Sequence, residues 1–135
     1  MTDRRHPIGV LDTCVYVDLA DLDPARLPAR PKLTAVTMAE LQQGVAMAKD
    51  PGERARRTER LADAVSAFDP LPFDGAAATR YGTLVALVLA ARRNPRPRRL
   101  DLMIAAIASV QGIPLFTRNT EDFKGLEEAV TVVAV

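Results

Sequence analysis

The sequence has few of the side chains that form disulfides and soft metal sites. It contains one cysteine, Cys14, and one histidine, His6. A single cysteine cannot form an internal disulfide, and these two residues cannot supply the Cys and His ligands of a zinc site. Any bound metal ion is therefore expected to be a hard cation with oxygen ligands.

The chain also lacks a long hydrophobic run. Its longest apolar stretches, residues 84–91 and 102–110, are shorter than the roughly 20 residues of a transmembrane helix. No apolar signal segment follows the N-terminal charges. We therefore expect a cytoplasmic protein that makes no membrane contact.

Aromatic residues are scarce at 4% of the chain, and tryptophan is absent. RNA-binding surfaces often stack unpaired bases on aromatic side chains that alternate with basic ones. The sequence shows no such stripe, so it gives no indication of a preferred RNA sequence.

The length of 135 residues and the hydrophobic content of 48% fit one compact domain, residues 1–135. The net charge of +1 creates no global field for nucleic acid. The basic residues are nevertheless fifteen arginines against three lysines, and guanidinium groups bind phosphate bidentately. Two arginine clusters could bind phosphate, although each could equally be an ordinary solvated charged surface. They are Arg54, Arg56, Arg57 and Arg60, and Arg92, Arg93, Arg96, Arg98 and Arg99.

Strand-like and helix-like segments alternate at both ends of the chain. The predicted strands are residues 7–11, 32–36, 113–117 and 131–135, and the predicted helices are residues 13–20, 37–48, 53–67, 74–93 and 102–111. Parallel strands need crossover helices, so this order predicts a three-layer α/β domain with a mostly parallel central sheet flanked by helices. Consecutive helices must then cover the sheet or form a protruding hairpin.

Four acidic residues stand where strand-like runs pass into helix-like runs: Asp12, Glu40, Asp101 and Asp122. The carboxyl ends of parallel strands share one edge of a sheet, where such folds bind ligands. Carboxylates that converge there repel one another unless a proton or a cation intervenes. Because Mg²⁺ and Mn²⁺ prefer oxygen ligands, the four residues predict a metal-holding cluster suited to phosphoryl transfer.

Each of these residues, taken alone, also fits a helix cap. Thr37 and Glu40 have the spacing of a capping box. Asp12 and Asp101 could each cap the helix that opens at the next residue, and Asp122 fits the first turn of a short helix. Only the set of four together favours the cluster over the caps.

Four segments then occur in a familiar order: Val-Leu-Asp-Thr at 10–13, Thr-Met-Ala-Glu-Leu at 37–41, Leu-Asp-Leu-Met-Ile-Ala-Ala at 100–106, and Thr-Arg-Asn-Thr-Glu-Asp-Phe at 117–123. With them the chain resembles a PIN-domain ribonuclease. More narrowly, it is similar to the VapC-type toxins of bacterial type II toxin–antitoxin systems, over nearly its whole length.

The resemblance implies a Mg²⁺- or Mn²⁺-dependent endoribonuclease in which metal-activated water attacks a phosphodiester. It carries over Asp12, Glu40, Asp101 and Asp122 as the catalytic and metal-binding quartet. The supporting polar residues are Thr13, Thr117 and Asn119, and the expected phosphate contacts are Arg99 and Arg118. Cys14 departs from the serine or asparagine that is common at its position.

The resemblance also implies partners. A cognate VapB-type antitoxin is expected to lay its C-terminal segment across a helical groove of the toxin. The resemblance also implies that this segment can insert a basic residue into the carboxylate site. A homodimer and a higher toxin–antitoxin assembly are likewise expected.

Three other functions remain open at this point. A catalytically inactive PIN-like module would bind RNA or antitoxin without turnover. A phospho-accepting signalling domain needs a second acidic pair near its first strand, and here Asp3 lies too far upstream. A dehalogenase-like phosphatase needs an aspartate two residues after Asp12, where this chain has Cys14.

Overall fold

The computed structural model describes residues 5–135 and contains a four-stranded parallel sheet in the order β2-β1-β3-β4. The strands are β1 Ile8–Leu11, β2 Arg30–Lys32, β3 Leu115–Thr117 and β4 Val132–Ala134. In register, Val10 lies opposite both Lys32 and Leu115. The predicted α/β class with a mostly parallel sheet is confirmed. Asp3 lies outside the described residues.

In the described part of the chain, five α-helices connect and cover these strands: α1 Thr13–Val17, α2 Ala35–Ala46, α3 Pro51–Ala67, α4 Gly75–Ala90 and α5 Arg99–Gln111. Short 3₁₀ turns lie at Leu19–Asp21, Pro24–Arg26, Arg96–Arg98 and Thr120–Phe123. Four α-helices follow one another between β2 and β3, as the missing strand signal there predicted. Within residues 5–135, no helix is both long and apolar enough to cross a membrane.

The sheet has a hydrophobic cluster on each face, because successive strand residues point to opposite sides. Val10 and Leu115 belong to the cluster that includes Leu84 of α4 and Leu102 of α5. Their neighbours Leu11 and Phe116 belong to the other cluster, with Val15, Leu33, Leu41 and Ala64. The three-layer arrangement follows from this alternation.

The helix boundaries follow ordinary capping chemistry. Asp50 and Asp74 cap α3 and α4 by accepting hydrogen bonds from the backbone amides of Glu53 and Ala77, at 2.8 and 3.0 Å. Gly112 ends α5 with φ of 69°, a left-handed conformation that suits glycine. The predicted helices 74–93 and 102–111 therefore begin and end, respectively, close to where these two residues bound α4 and α5.

The second strand and the second helix both begin earlier than predicted. β2 covers Arg30–Lys32, and Thr34 caps α2 by accepting a hydrogen bond from the Thr37 amide at 3.1 Å. Because Thr34 supplies the cap, Thr37 lies inside the helix and the predicted capping box of Thr37 and Glu40 is wrong. Both side chains are thereby left to make other contacts.

Candidate active site

Asp12 follows β1 directly and is 5% exposed. Its Oδ1 accepts a hydrogen bond from the Thr13 amide at 2.9 Å, so it does cap α1. Its Oδ2 accepts from the Thr117 hydroxyl at 2.8 Å and from the Cys14 thiol at 3.4 Å. Burial raises the pKa of Asp12, while these three hydrogen bonds oppose the shift. The carboxylate is thus held in one orientation on both oxygens.

Thr117 is itself fixed by the segment that follows β3. Its hydroxyl oxygen accepts a hydrogen bond from the Asn119 amide at 3.1 Å. The hydroxyl is buried, so its proton is directed to Asp12 rather than to water. Burial also raises the pKa of the Cys14 thiol, which keeps its proton available to Asp12.

Glu40 lies inside α2, one helical turn after Thr37, and faces Asp12 across Thr13. Its Oε1 accepts a hydrogen bond from the Thr13 hydroxyl at 2.7 Å. Burial raises the pKa of Glu40, the bond from Thr13 lowers it, and the charge of Asp12 raises it. Thr13 therefore joins the two acids, because its amide bonds to Asp12 and its hydroxyl to Glu40.

Asp101 lies in the first turn of α5, where the charges of the other three acids act on its carboxylate. Burial raises its pKa to about 7, with further contributions from the carboxylates of Asp12, Asp122 and Glu40. The nearby Arg98 guanidinium opposes this shift. Since all three other carboxylates act on Asp101, the structure brings the predicted quartet together.

Asp122 has a side chain that is 40% exposed. It lies in the 3₁₀ turn Thr120–Phe123, which begins after Asn119. Its Oδ1 is 3.9 Å from Nε of Arg98. That Nε atom is buried and has no hydrogen-bond partner among the described residues. Arg98 thus brings a positive charge into the site, and its only sequence signal was the arginine cluster before Asp101.

The structure corrects how two of the acids reach the site. α5 begins at Arg99, so Asp101 does not cap a helix that opens at Leu102, and no strand ends before it. Glu40 lies within α2 rather than at its start. The prediction that each acid follows a strand is therefore wrong for both, because two helices deliver them to an edge that β1 and β3 define.

The two arginines predicted to contact phosphate occupy different surroundings. Arg99 lines a cleft of about 440 Å³ together with Glu40, Asp101 and Arg96. Arg118 forms an ion pair with Asp18, with Nη1 2.8 Å from Oδ2. The guanidinium of Arg118 would have to leave this partner in order to bind phosphate, whereas Arg99 already lines the cleft beside the acids.

The donor set fits a hard divalent cation. Carboxylate oxygens are the ligands that Mg²⁺ prefers. Burial and the charges of the other three acids raise the pKa of Asp101, and a bound cation would relieve the repulsion among these carboxylates. Within residues 5–135, no three Asp, Glu, His or Cys side chains already enclose a metal position. The four carboxylates therefore interact electrostatically but are not arranged around a metal position. Some of these side chains would have to move closer together to bind a cation.

Comparison with known proteins places this geometry in a family. The PIN domain model matches residues 9–128. Ribonuclease VapC5 of Mycobacterium tuberculosis is 37% identical over 127 residues, which cover 92% of this chain and 91% of the relative. Ribonuclease VapC8 of Mycobacterium tuberculosis is 35% identical over 112 residues, which cover 82% of this chain and 99% of the relative.

A solved structure agrees with the sequence comparison. It is the crystal structure of VapBC-5, a member of the VapBC family of toxin–antitoxin systems from Mycobacterium tuberculosis. It matches with a TM-score of 0.84 and 36% sequence identity, over 96% of this chain and 99% of that chain. The predicted resemblance to VapC-type PIN domains is confirmed.

Proposed function

This chain belongs to the PIN-domain family, with VapC toxins among its relatives, and from that premise we propose that it is a Mg²⁺- or Mn²⁺-dependent endoribonuclease toxin. The observation that carries the proposal is the convergence of four carboxylates on one sheet edge. It is clearest at Asp101, whose pKa is raised to about 7 by burial and by the other three acids. A protein without need of a cation has little reason to keep four such charges together.

Asp12, Glu40, Asp101 and Asp122 would hold the metal ion. When bound, a divalent cation lowers the pKa of a coordinated water and neutralises the charge that develops on a phosphodiester. Thr117 and Cys14 keep both hydrogen bonds to Oδ2 of Asp12, so this carboxylate presents a fixed charge. Thr13 bonds to Oε1 of Glu40, and no described residue bonds to Oε2, which is free to bind the cation or accept a proton.

Arg99 and Arg118 are the proposed phosphate contacts. Arg99 lines the cleft beside Glu40 and Asp101, which places a guanidinium next to the acids. A lost phosphate contact weakens the binding of many RNA sequences alike and flattens its dependence on salt. The salt dependence of RNA binding by Arg99→Gln and Arg118→Gln tests both assignments, and an unchanged slope would remove the residue from this role.

The proposed partner is a cognate VapB-type antitoxin, because VapBC-5 is a member of a toxin–antitoxin family. A groove of about 470 Å³ lies between α1, the turn after it, and α3. Apolar Val17 and Leu19 line it, and its charged residues carry both signs, which suits an extended peptide with apolar side chains flanked by charged ones. The charged lining residues are Arg56, Glu59, Arg60 and Asp63. Light scattering of the purified chain, with and without antitoxin, would test this partner and the predicted homodimer.

The deciding experiment is cleavage of a mixed, end-labelled RNA pool by antitoxin-free protein, with and without Mg²⁺ or Mn²⁺. We expect cuts only when metal is present, leaving 5′-phosphate and 3′-hydroxyl ends. Glu40→Gln should fold normally, because its amide oxygen can still accept the bond from Thr13, yet it should lose cleavage.

Glu128→Gln is the matched control, since Glu128 is an exposed glutamate outside the site. This variant should cleave like the wild-type protein. Full cleavage by Glu40→Gln would contradict the role of Glu40. A wild-type protein that binds RNA but does not cut it with either metal would identify a binding module instead.

A further inference from the structure

Behind Glu40 lies a row of three threonine hydroxyls. Thr34 and Thr37 are both 0% exposed. The Thr34 and Thr37 hydroxyl oxygens are 3.5 Å apart, and those of Thr37 and Thr13 are 2.8 Å apart. The row ends at Glu40, whose Oε1 is 2.7 Å from the Thr13 hydroxyl.

Counting protons gives this row a direction. Each hydroxyl has one proton, and an ionised carboxylate can only accept, so the Thr13 proton goes to Glu40. The proton between Thr13 and Thr37 must then come from Thr37, and the one between Thr37 and Thr34 from Thr34. Thr34 in turn accepts from the Thr37 amide. All three hydroxyls therefore donate toward Glu40.

The Thr37 hydroxyl is not needed by its own helix. Threonines inside helices commonly bond back to the carbonyl four residues earlier, as Thr79 of α4 does to Gly75 at 3.1 Å. Thr37 instead bonds across to Thr13 of α1, and the α2 cap is already supplied by Thr34. Its hydroxyl thus links two elements at the site rather than stabilising α2.

We propose that Thr37, supported by Thr34, is a positioning residue that orients the Thr13 hydroxyl and through it the Glu40 carboxylate for metal binding. The inference rests on the proposed function, since it assigns Glu40 to the metal. Thr37 is fully buried and acts only through Thr13. Partners that orient metal ligands typically change metal affinity or activity about 10- to 100-fold when they are lost.

The test compares Thr37→Val, which keeps the side-chain shape but removes the hydroxyl, with Thr37→Ser, which keeps the hydroxyl. The Mn²⁺ dissociation constant is measured by titration calorimetry, and kcat and KM are measured on one RNA substrate. We expect about tenfold weaker Mn²⁺ binding and a lower kcat for Thr37→Val, an unchanged KM, and recovery in Thr37→Ser. Thr79→Val removes a threonine hydroxyl elsewhere and should change none of these values.

A double-mutant cycle separates positioning from general loss of packing. If Thr37 acts through Glu40, adding Thr37→Val to Glu40→Gln should weaken Mn²⁺ binding no further. Additive losses, or wild-type Mn²⁺ affinity in Thr37→Val, would overturn the proposal. Normal Mn²⁺ affinity in Glu40→Gln would instead contradict the metal role of Glu40, and with it the positioning role of Thr37. Should Thr37→Val fail to fold, Thr37→Ala removes the same hydroxyl, and thermal unfolding verifies its fold.

Discussion

The two halves of the site are built differently. Asp12 and Glu40 are held by hydrogen bonds from Thr117, Cys14 and Thr13, which are anchored in strands and helices. Asp101 and Asp122 receive no side-chain hydrogen bond from the described residues, and the positive charge of Arg98 lies close to both. One half is fixed by neutral donors, and the other is balanced by charge.

This difference separates two ways of holding carboxylates that repel one another. Hydrogen bonds from fixed hydroxyls set the direction of an oxygen before any cation arrives. A nearby guanidinium lowers the repulsion but leaves the side chain free to turn, as the 40% exposure of Asp122 allows. We therefore infer that Asp12 and Glu40 form the prepared side of the proposed metal site, and that Asp101 and Asp122 would have to adjust for a cation to bind there.

The largest expected effect follows from removing a donor on the prepared side. Thr117→Val leaves a buried oxygen of Asp12 without its bond from the hydroxyl at 2.8 Å. We expect metal affinity or kcat to fall about 10- to 100-fold, as for other lost partners of metal ligands. Mn²⁺ titration and RNA cleavage measure the effect, and Thr79→Val is the matched control. Wild-type values in Thr117→Val would mean that Asp12 needs no such support.

The charge-balanced side should respond to pH in the metal-free protein. Burial and the neighbouring carboxylates raise the pKa of Asp101 from its ordinary value of 3.8 to about 7, so the folded state holds a proton between these two pH values that the unfolded state does not. Stability should therefore rise as the pH falls from about 8 to about 5, and this gain is lost as the pH rises through the folded pKa.

Asp101→Asn removes both the charge and its titration. Its melting temperature should exceed that of the wild-type protein by a few degrees at about pH 8, and the difference should shrink toward about pH 5. Differential scanning fluorimetry in chelator measures this, with the exposed Asp69→Asn as control. A constant difference across this pH range would show that the charge of Asp101 is not the cause.

The contrast between the two halves also explains what the sequence could predict. β1 and β3 are recognisable as apolar runs, so Asp12 and the segment from Thr117 to Asp122 could be placed at one sheet edge from sequence. The positions of Glu40 and Asp101 depend on how α2 and α5 pack, and a capping box at Thr37 fits the local sequence equally well. The true cap, Thr34, differs only in where the helix begins, which sequence patterns determine poorly.

The hydroxyl row and Arg98 could not be read from sequence for a related reason. Thr13 and Thr37 are 24 residues apart, and only the packing of α1 against α2 brings their oxygens to 2.8 Å. Arg98 is one of five arginines in its cluster, and only the start of α5 at Arg99 turns it toward Asp122. Contacts between elements decide both cases, whereas sequence periodicity reports on each element alone.

The smallest expected effect concerns Arg98 and distinguishes a counter-charge from a structural support. Arg98 Nε lies 3.9 Å from Asp122 Oδ1, and both side chains are partly exposed. Such pairs contribute about 0.2–1 kcal/mol, and a guanidinium in this position also repels a divalent cation. Arg98→Gln should therefore tighten Mn²⁺ binding by about twofold to fivefold in titration calorimetry, whereas the exposed Arg26→Gln should not. Weaker Mn²⁺ binding would show that Arg98 holds Asp122 in place. Both halves of the site would then be held by fixed donors, and they would differ only in whether the donor is neutral or charged.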